Sequence, residues 1–347
     1  MGIRELAEHL NLSIATVSRA LNDSDEVSAE TRRRVIEAAA RLGYSPSQAG
    51  RSLRQGRSDT VGLMLPAKGP EESYTLSLFF PLAEGIQSVL APHALDLVLV
   101  QGRSDQSELG QVRRMVERRV VDGLILAGTR RKDPRIDYVA DQGFPFVAFG
   151  RSESGGVHAW VDLDFEAGAE VAVERLVGFG HRRIAIGIPD DDAMQGHVYL
   201  RAWRRALRGH GLSAPDELAY RGELSERGGY RITQALLSAA PARRPTAILF
   251  QSDCMAIGAY RKLAELGLRP GRDLAVSGGV LTGELAEYLS PQLTGFRIAL
   301  RPLGKRLAEA LLRQLAGRPA ARSEPPVQER WPIELLARAS DEKTSAR

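Results

Sequence analysis

Apolar residues recur through the first 45 positions of the chain with helical spacing. Ile3, Leu6, Ala7 and Leu10 fall at i, i+3, i+4 and i+7, the mark of a short amphipathic helix. Ser13 can accept from the free amides of a following helix and is read as its N-cap. Val17, Ala20 and Leu21 then share one face of that helix, while Ile14, Ala15, Ser18 and Arg19 share the other. Only Asn11 and Leu12 separate the two helices, which forces a sharp turn, and Asn tolerates the left-handed conformation such a turn often needs. A third helix is announced by Ser28 as cap, Glu30 in its first turn, and Val35, Ile36, Ala39 and Leu42 as its buried stripe. Three short helices with one tight turn make a helix-turn-helix. Packing accounts for the inward face of the second helix but not for the outward one. Ser18 and Arg19 can reach phosphate and a guanine edge, and Ile14 and Ala15 offer apolar surface to a thymine methyl. A plain amphipathic helix in a small bundle is the alternative for this helix taken alone.

From Val61 onward the pattern changes, and short apolar runs alternate with amphipathic stretches. The run 61–65 precedes a helical stretch at 79–91, 95–100 precedes 108–119, and 123–127 precedes 134–142, with 145–149 next. The alternation resumes with 183–188, the helices 195–210 and 228–239, the run 247–250, the helix 253–266 and the run 274–277. Strand-helix alternation of this kind builds a parallel sheet with helices on both faces. Two doubly wound units in tandem predict a bilobed α/β body whose ligand binds beyond the carboxyl ends of the strands.

Composition narrows the function classes. At 347 residues the chain has room for two or three domains, and 43% hydrophobic with 26% charged residues is ordinary for a protein with a large core. The net charge of +4 does not by itself imply nucleic acid. Residues 1–58 hold nine arginines against seven acids, so any DNA contact depends on where charge is placed rather than how much there is. The single cysteine, Cys254, permits no internal disulfide and points to a reducing cytoplasm. No run of 18 apolar residues occurs, and the N-terminus enters the helix-turn-helix directly, so neither a membrane span nor a signal peptide is expected.

Residues 3–58 resemble the headpiece of the lactose-repressor (LacI/GalR) family of bacterial transcription regulators. The resemblance is carried by Ile3-Arg4-Glu5-Leu6-Ala7, Ser13, the run Thr16 to Asn22, Val27-Ser28, Thr31-Arg32, Val35, Ala38-Ala39, Leu42-Gly43-Tyr44, Pro46 and Arg51-Ser52-Leu53. It implies that Ile14, Ala15 and Arg19 read bases, and that Ser13, Thr16, Ser18, Asn22, Thr31 and Tyr44 grip the backbone. Positions 14 and 15 depart from the family, which often carries larger polar groups there.

Residues 45–60 read as a hinge helix and linker. Ser45-Pro46 is a good helix start, a cap followed by proline at the first helical position. The stretch from Ser47 to Arg54 is shorter than the roughly twelve residues an isolated helix needs in water. Gly50, where the family usually has alanine, costs it roughly 1 kcal/mol more. Such a segment is expected to order only on DNA, repaying its folding cost there. The resemblance makes Arg51 a DNA contact and Leu53 the apolar wedge that enters the minor groove; a plain linker with one exposed leucine is the alternative.

The body, about 61–338, resembles the family's effector domain, itself similar to periplasmic sugar-binding proteins. Val161-Asp162-Leu163-Asp164, Gly168-Ala169, the run from Gly180 to Ala185, Ala206-Leu207, Asp253 with Ala256 and Gly258, and Pro291-Gln292-Leu293-Thr294 carry this resemblance. By analogy one lobe is about 61–160 with 294–325 and the other about 161–290 with 326–338, joined by three crossings, and 339–347 is a disordered tail. The implied effector is a sugar or related metabolite. Three clamp positions depart: the family's aspartate-asparagine pair reads Asp164-Phe165, its arginine is Tyr199, and its later aspartate is lost at Val280. The effector candidates are Phe79, Asp164, Phe165, Tyr199, Trp203, Ser252 and Asp253. Core packing is an equal alternative for Phe79 and Trp203, and helix capping for Asp164 and Asp253.

Other chemistry finds little support. The six histidines lack metal-ligand spacing with acids or Cys254, Cys254 reads as a small core residue, and Asp190-Asp191-Asp192 reads most simply as a solvated loop, with a weak cation site as the alternative. No glycine-rich phosphate loop occurs, so no cofactor, metal or enzyme activity is expected. The sequence therefore predicts a cytoplasmic, homodimeric repressor that binds a pseudo-palindromic operator in double-stranded DNA under control of a sugar-like effector, with no membrane association. A small-molecule-binding module whose headpiece has lost specific DNA recognition is the rival.

Overall fold

The first three helices form as α1 (Ile3–Leu10), α2 (Ile14–Leu21) and α3 (Ala29–Arg41). They belong to a computed structural model that describes residues 2–21, 26–44, 57–66, 72–102, 107–282, 284–316 and 325–342. Asn11 takes φ 53°, and its N–H donates to the Ala7 and Glu8 carbonyls to end α1. Ser13 Oγ then accepts from the Thr16 N–H at 3.0 Å and starts α2 two residues later. Leu6, Val17 and Val35 are fully enclosed with Ala7, Ala20, Ala38 and Ala39 around them. Each large side chain so enclosed contributes about 1.5–3 kcal/mol. One expectation fails here. Ile36 is 51% exposed, because Val35, Ala38, Ala39 and Leu42 already form the inward stripe and Ile36 lies a helical step to its side.

The chain divides at Asp59/Thr60 into two units. The second begins with β1 (Thr60–Leu65), α4 (Glu72–Leu90), β2 (Asp96–Gln101), α5 (Glu108–Glu117), β3 (Gly123–Leu126), α6 (Pro134–Asp141), β4 (Phe146–Phe149) and β5 (Trp160–Leu163). It continues with α7 (Phe165–Gly178), β6 (Ile184–Pro189), α8 (Met194–Gly209), β7 (Ala219–Gly222), α9 (Glu226–Ser238), β8 (Ala247–Phe250) and α10 (Asp253–Glu265). It closes with β9 (Ala275–Leu281), α11 (Leu285–Tyr288), β10 (Thr294–Arg297), α12 (Leu300–Ala316), β11 (Gln328–Trp331) and β12 (Glu334–Leu336). One sheet runs β11-β5-β4-β3-β1-β2 and the other β12-β10-β9-β8-β6-β7. All pairings are parallel except β12 on β10. Both sheets repeat one doubly wound order, so both present their strand carboxyl ends as a ligand crevice.

The lobe boundaries differ from those read in the sequence. Residues 161–163 pair with β4 and β11 in the first sheet, not the second. Residues 294–297 pair with β9 and β12 in the second sheet, not the first, and β11 belongs to the first. Each crossing strand stays hydrogen-bonded to the sheet it arrives from, so the chain changes lobe after Leu163, after Arg297 and after Trp331. Helix α12 then packs on α4 closely enough that a Cβ at Gly304 would overlap the Leu82 carbonyl.

The expected disordered tail is ordered over 339–341. Ala339–Asp341 forms a short 3-10 turn with Ser340 and Asp341 buried. Polar residues stay inside only when paired, and these are. Ser340 Oγ donates to the Val276 carbonyl at 2.6 Å, and the Asp341 carboxylate accepts from Arg175 Nε at 2.8 Å. The residues 343–347 of that tail lie outside the described residues.

Candidate functional site

In the first unit, packing leaves one face of α2 free. Val17 and Ala20 point into the core, whereas Ile14, at 40% exposure, Ala15 and Arg19 are exposed. Ser13 and Thr16 are linked through their hydroxyls at 2.8 Å, and Thr31 accepts from Ser28 Oγ at 2.9 Å. Ser18, Thr31 and Tyr44 are half-buried, and Tyr44 packs against the core edge. Arg19 meets Glu26 at 3.1 Å with both side chains mostly exposed, a pair worth little and readily exchanged. Asn22, Arg51, Leu53 and the hinge helix lie outside the described residues.

In the second unit a cavity of about 690 Å³ opens between the lobes. Its walls come from the carboxyl ends of the strands: Pro66 after β1, Gly128 to Arg130 after β3, Phe149 and Gly150 at β4, and Asp162 and Leu163 on β5. The other lobe supplies Asp191 to Ala193 after β6, Gln251 and Ser252 after β8, and Val280 on β9. Gly279 makes the last wall possible. It takes φ +60°, which glycine adopts without strain, and a Cβ there would overlap the carbonyls of Phe250 and Gln251. The Val280 N–H then donates to the Gln251 carbonyl at 3.1 Å.

The two lobes also touch through their backbones at the cavity rim. Arg131 N–H donates to the Asp192 carbonyl at 3.1 Å, and Met194 N–H to the Thr129 carbonyl at 2.9 Å. Helix α8 has no side-chain cap, so a carbonyl of the opposite lobe satisfies one of its orphan amides. The lobe-1 strand of this clasp is held in turn by Ser152 Oγ, which donates to the Arg130 carbonyl at 2.9 Å.

Of the seven effector candidates, Phe79, Phe165 and Ser252 line the cavity, and so does Val280. Asp164 lies outside its wall and caps α7, accepting from the Ala167 N–H at 3.1 Å. Tyr199 is buried behind the wall, its ring edge-on to Phe165 and its hydroxyl donating to the Phe250 carbonyl at 3.3 Å. Burial pushes that phenol's pKa up. Trp203 is fully enclosed in the core. Asp253 accepts from the Cys254 and Thr282 amides at 2.9 and 2.8 Å and pins the chain after β9 rather than facing the cavity.

The polarity missing from the expected clamp comes from residues the sequence did not single out. Glu108, nearly enclosed, accepts from Arg130 Nη2 at 2.6 Å on the lobe-1 wall. Behind them Arg135, fully enclosed, forms a two-pronged pair with Asp133, and its Nη1 lies 3.6 Å from Glu108. Burial works against the Asp133 charge, but the Arg135 hydrogen bonds and charge outweigh it and hold the carboxyl below its ordinary value. On the crossing to the second lobe, Asp162 accepts from Arg151 Nε at 2.6 Å, and Arg151 grips Glu166 with two bonds of 2.7 Å. Burial pushes Asp162 up to about 6, with Arg151 opposing. Gln251 is 3% exposed, and its Oε1 has no hydrogen-bond partner. Asp162 sat inside a recognised motif, and Asp191 and Asp192 inside the acidic loop. Glu108, Arg130 and Gln251 had no local signal, since only the fold brings them to one cavity. Among the described residues no cluster suited to a metal ion occurs, and no helix is long and apolar enough to cross a membrane.

The family model "Bacterial regulatory proteins, lacI family" matches residues 2–47, and a periplasmic binding protein-like domain matches 173–340. The HTH-type transcriptional regulator AglR of Rhizobium meliloti (strain 1021) is 34% identical over 98% of this chain and 94% of its own. The solved complex of the transcriptional regulator CelR with cellobiose aligns over 98% of this chain and 99% of that one, with a TM-score of 0.71 and 28% identity. The lac repressor dimer bound to operator and the anti-inducer ONPF aligns over 98% and 99%, with a TM-score of 0.82 and 26% identity.

Proposed function

Because the chain belongs to the LacI family of bacterial transcription regulators, we propose that it is a repressor whose homodimer grips a pseudo-palindromic operator and responds to a sugar-like effector in the cleft. The observation that carries the reading is the outward face of α2. Ile14, Ala15 and Arg19 are exposed on a helix whose opposite face is locked by Val17 and Ala20. Ile14 and Ala15 would meet thymine methyls and Arg19 a guanine edge, while Ser13, Thr16, Ser18, Asn22, Thr31 and Tyr44 would hold phosphates. A two-fold dimer places two such helices in successive major grooves. The repressor then acts in the cytoplasm, where its DNA is.

The hinge at 45–60, with Arg51 and Leu53, would order against the minor groove and add a contact only the correctly spaced dimer can make. Effector binding changes lobe closure, and closure changes whether paired hinges can form. This is a coupling free energy between two sites, typically 1–3 kcal/mol. The CelR–cellobiose complex supports a saccharide as the effector's class, and the lac repressor–operator complex supports DNA as the partner. An operator selected from random duplexes tests the reading. The wild type is expected to enrich one pseudo-palindrome, and selection that enriches none rejects it.

A further inference from the structure

Resting on the reading that lobe closure carries the signal, we propose that Arg151 is a latch across the hinge of the body. It belongs to the first lobe, grips Glu166 of the second, and is aimed by Asp162 on the cavity wall. The Gly150 N–H donates to the Val161 carbonyl at 2.9 Å, so the chain at Arg151 is still tied to the first sheet. Glu166 lies just past the crossing at Leu163, in the first turn of α7, which packs on α8 in the second lobe. Arg151 Nη1 and Nη2 each donate to one Glu166 oxygen at 2.7 Å. This two-pronged arrangement is strong and geometrically strict. Arg330 on β11 lies 3.7 Å from the same carboxylate, and the Asp164 N–H donates to the Trp331 carbonyl at 2.9 Å. Glu166 is thus lodged between the first and third crossings. Turning the lobes carries its carboxylate with α7 and leaves the guanidinium with β4, so opening breaks both bonds together. The other ion pairs beside the crossings, Arg297 with Glu334 and Arg306 with Glu329, each stay inside one lobe.

The guanidinium is set in place from the first-lobe side. Its Nε donates to Asp162 at 2.6 Å, and its carbon lies 5.6 Å from the centre of the Trp160 ring, a cation–π contact. These two contacts fix its plane with both terminal nitrogens turned to Glu166. The Arg151 and Glu166 side chains are 15% and 14% exposed, so solvent and salt screen the pair little. Burial works against the Glu166 charge, but the Arg151 hydrogen bonds and charge outweigh it and hold the carboxyl below its ordinary value. Asp162 meanwhile lines the cavity. A donor that reaches its carboxylate from the cavity competes with Arg151 Nε for it. Asp162 is therefore a positioning residue, and two hydrogen bonds connect the cavity wall to the angle between the lobes.

Double electron–electron resonance on the full chain, with neither sugar nor DNA added, reads that angle. Spin labels go on Lys132→Cys in one lobe and Glu223→Cys in the other, both exposed positions, while the native Cys254 is buried. Labelled chain is diluted into unlabelled chain so that each dimer carries one pair. The wild type should give one short distance. The near-isosteric Glu166→Gln, and Arg151→Lys, which keeps the charge but loses the fork, should each raise the share of longer distances about tenfold, the factor one lost charge-assisted hydrogen bond supplies. Asp162→Asn should shift the distances the same way. Arg151→Lys with Glu166→Gln should go no further than the larger single change, and Arg297→Gln should match the wild type. Wild-type distances in Glu166→Gln or in Asp162→Asn, additive shifts in the double variant, or an equal shift in Arg297→Gln overturns the proposal. Because the distances are read without DNA, selective operator binding by the wild type alongside unmoved distances sinks this inference alone.

Discussion

The Met194 amide donates to the Thr129 carbonyl across the cleft, 2.9 Å away, so the first turn of α8 in one lobe is capped by the other. Closing the lobes thereby satisfies a helix terminus as well as enclosing a ligand. Met194 is the first residue of α8 and Ala193 is extended at φ -60°, ψ 130°, a setting that accepts proline. Met194→Pro therefore deletes the bridging N–H without breaking the helix, and Met194→Ala controls for the lost side chain. One net hydrogen bond is worth about 0.5–1.5 kcal/mol. Effector affinity measured by calorimetry should fall about two- to tenfold further in the proline variant than in the alanine variant, and equal losses would show that the clasp does not contribute.

Asp133 and Arg135 are both fully enclosed and two-pronged. Asp133→Ala leaves the guanidinium with the Gly128 carbonyl at 3.0 Å and, as its one remaining carboxylate, Glu108 at 3.6 Å. Removing one partner of a buried pair costs about 3–5 kcal/mol. Urea unfolding of the body should show a loss of this size, and a loss below about 1 kcal/mol would mean Glu108 replaces Asp133.

The headpiece core has three large enclosed side chains, so its margin is narrow. Leu6→Ala should cost about 2–5 kcal/mol, most of what a unit of this size has to lose. Operator binding is expected to collapse while effector affinity stays at the wild-type value. An unchanged operator affinity would show that the headpiece folds on something other than this core.

Asp162 sets a pH dependence. Its carboxyl rises from the ordinary 3.8 to about 6 through burial, with Arg151 opposing. Between roughly pH 4 and 6 the native state holds a proton that the unfolded chain has released, so this group's contribution to stability falls as pH rises through that window. Thermal melts of the wild type should lose ground against Asp162→Asn from pH 4 to 6, and a constant difference would place the titration elsewhere.

The sequence disclosed the elements more readily than the site. Helical spacing at Leu6, Val17 and Val35 and the apolar runs of the strands located most secondary structure, because burial on one face leaves a period that can be read. Lobe membership was misread at 161–163 and 294–297, since a crossing strand looks the same whichever sheet it joins. Ser340 and Asp341 read as tail because their partners, Val276 and Arg175, lie far away in sequence. The same reason hid Glu108, Arg130 and Gln251. Trp203 and Tyr199 drew attention as aromatics at ligand positions, and the fold uses them to fill space behind the cavity.

The account stands most directly on whether the exposed face of α2 reads bases. Fluorescence anisotropy of the wild type and Arg19→Ala on the selected operator and on a scrambled duplex, across a salt series, measures this. A wild-type specificity ratio that survives added salt, with about 1–3 kcal/mol lost in Arg19→Ala on the operator alone, is the predicted result. Equal binding to both duplexes by both proteins, falling together as salt rises, would contradict it.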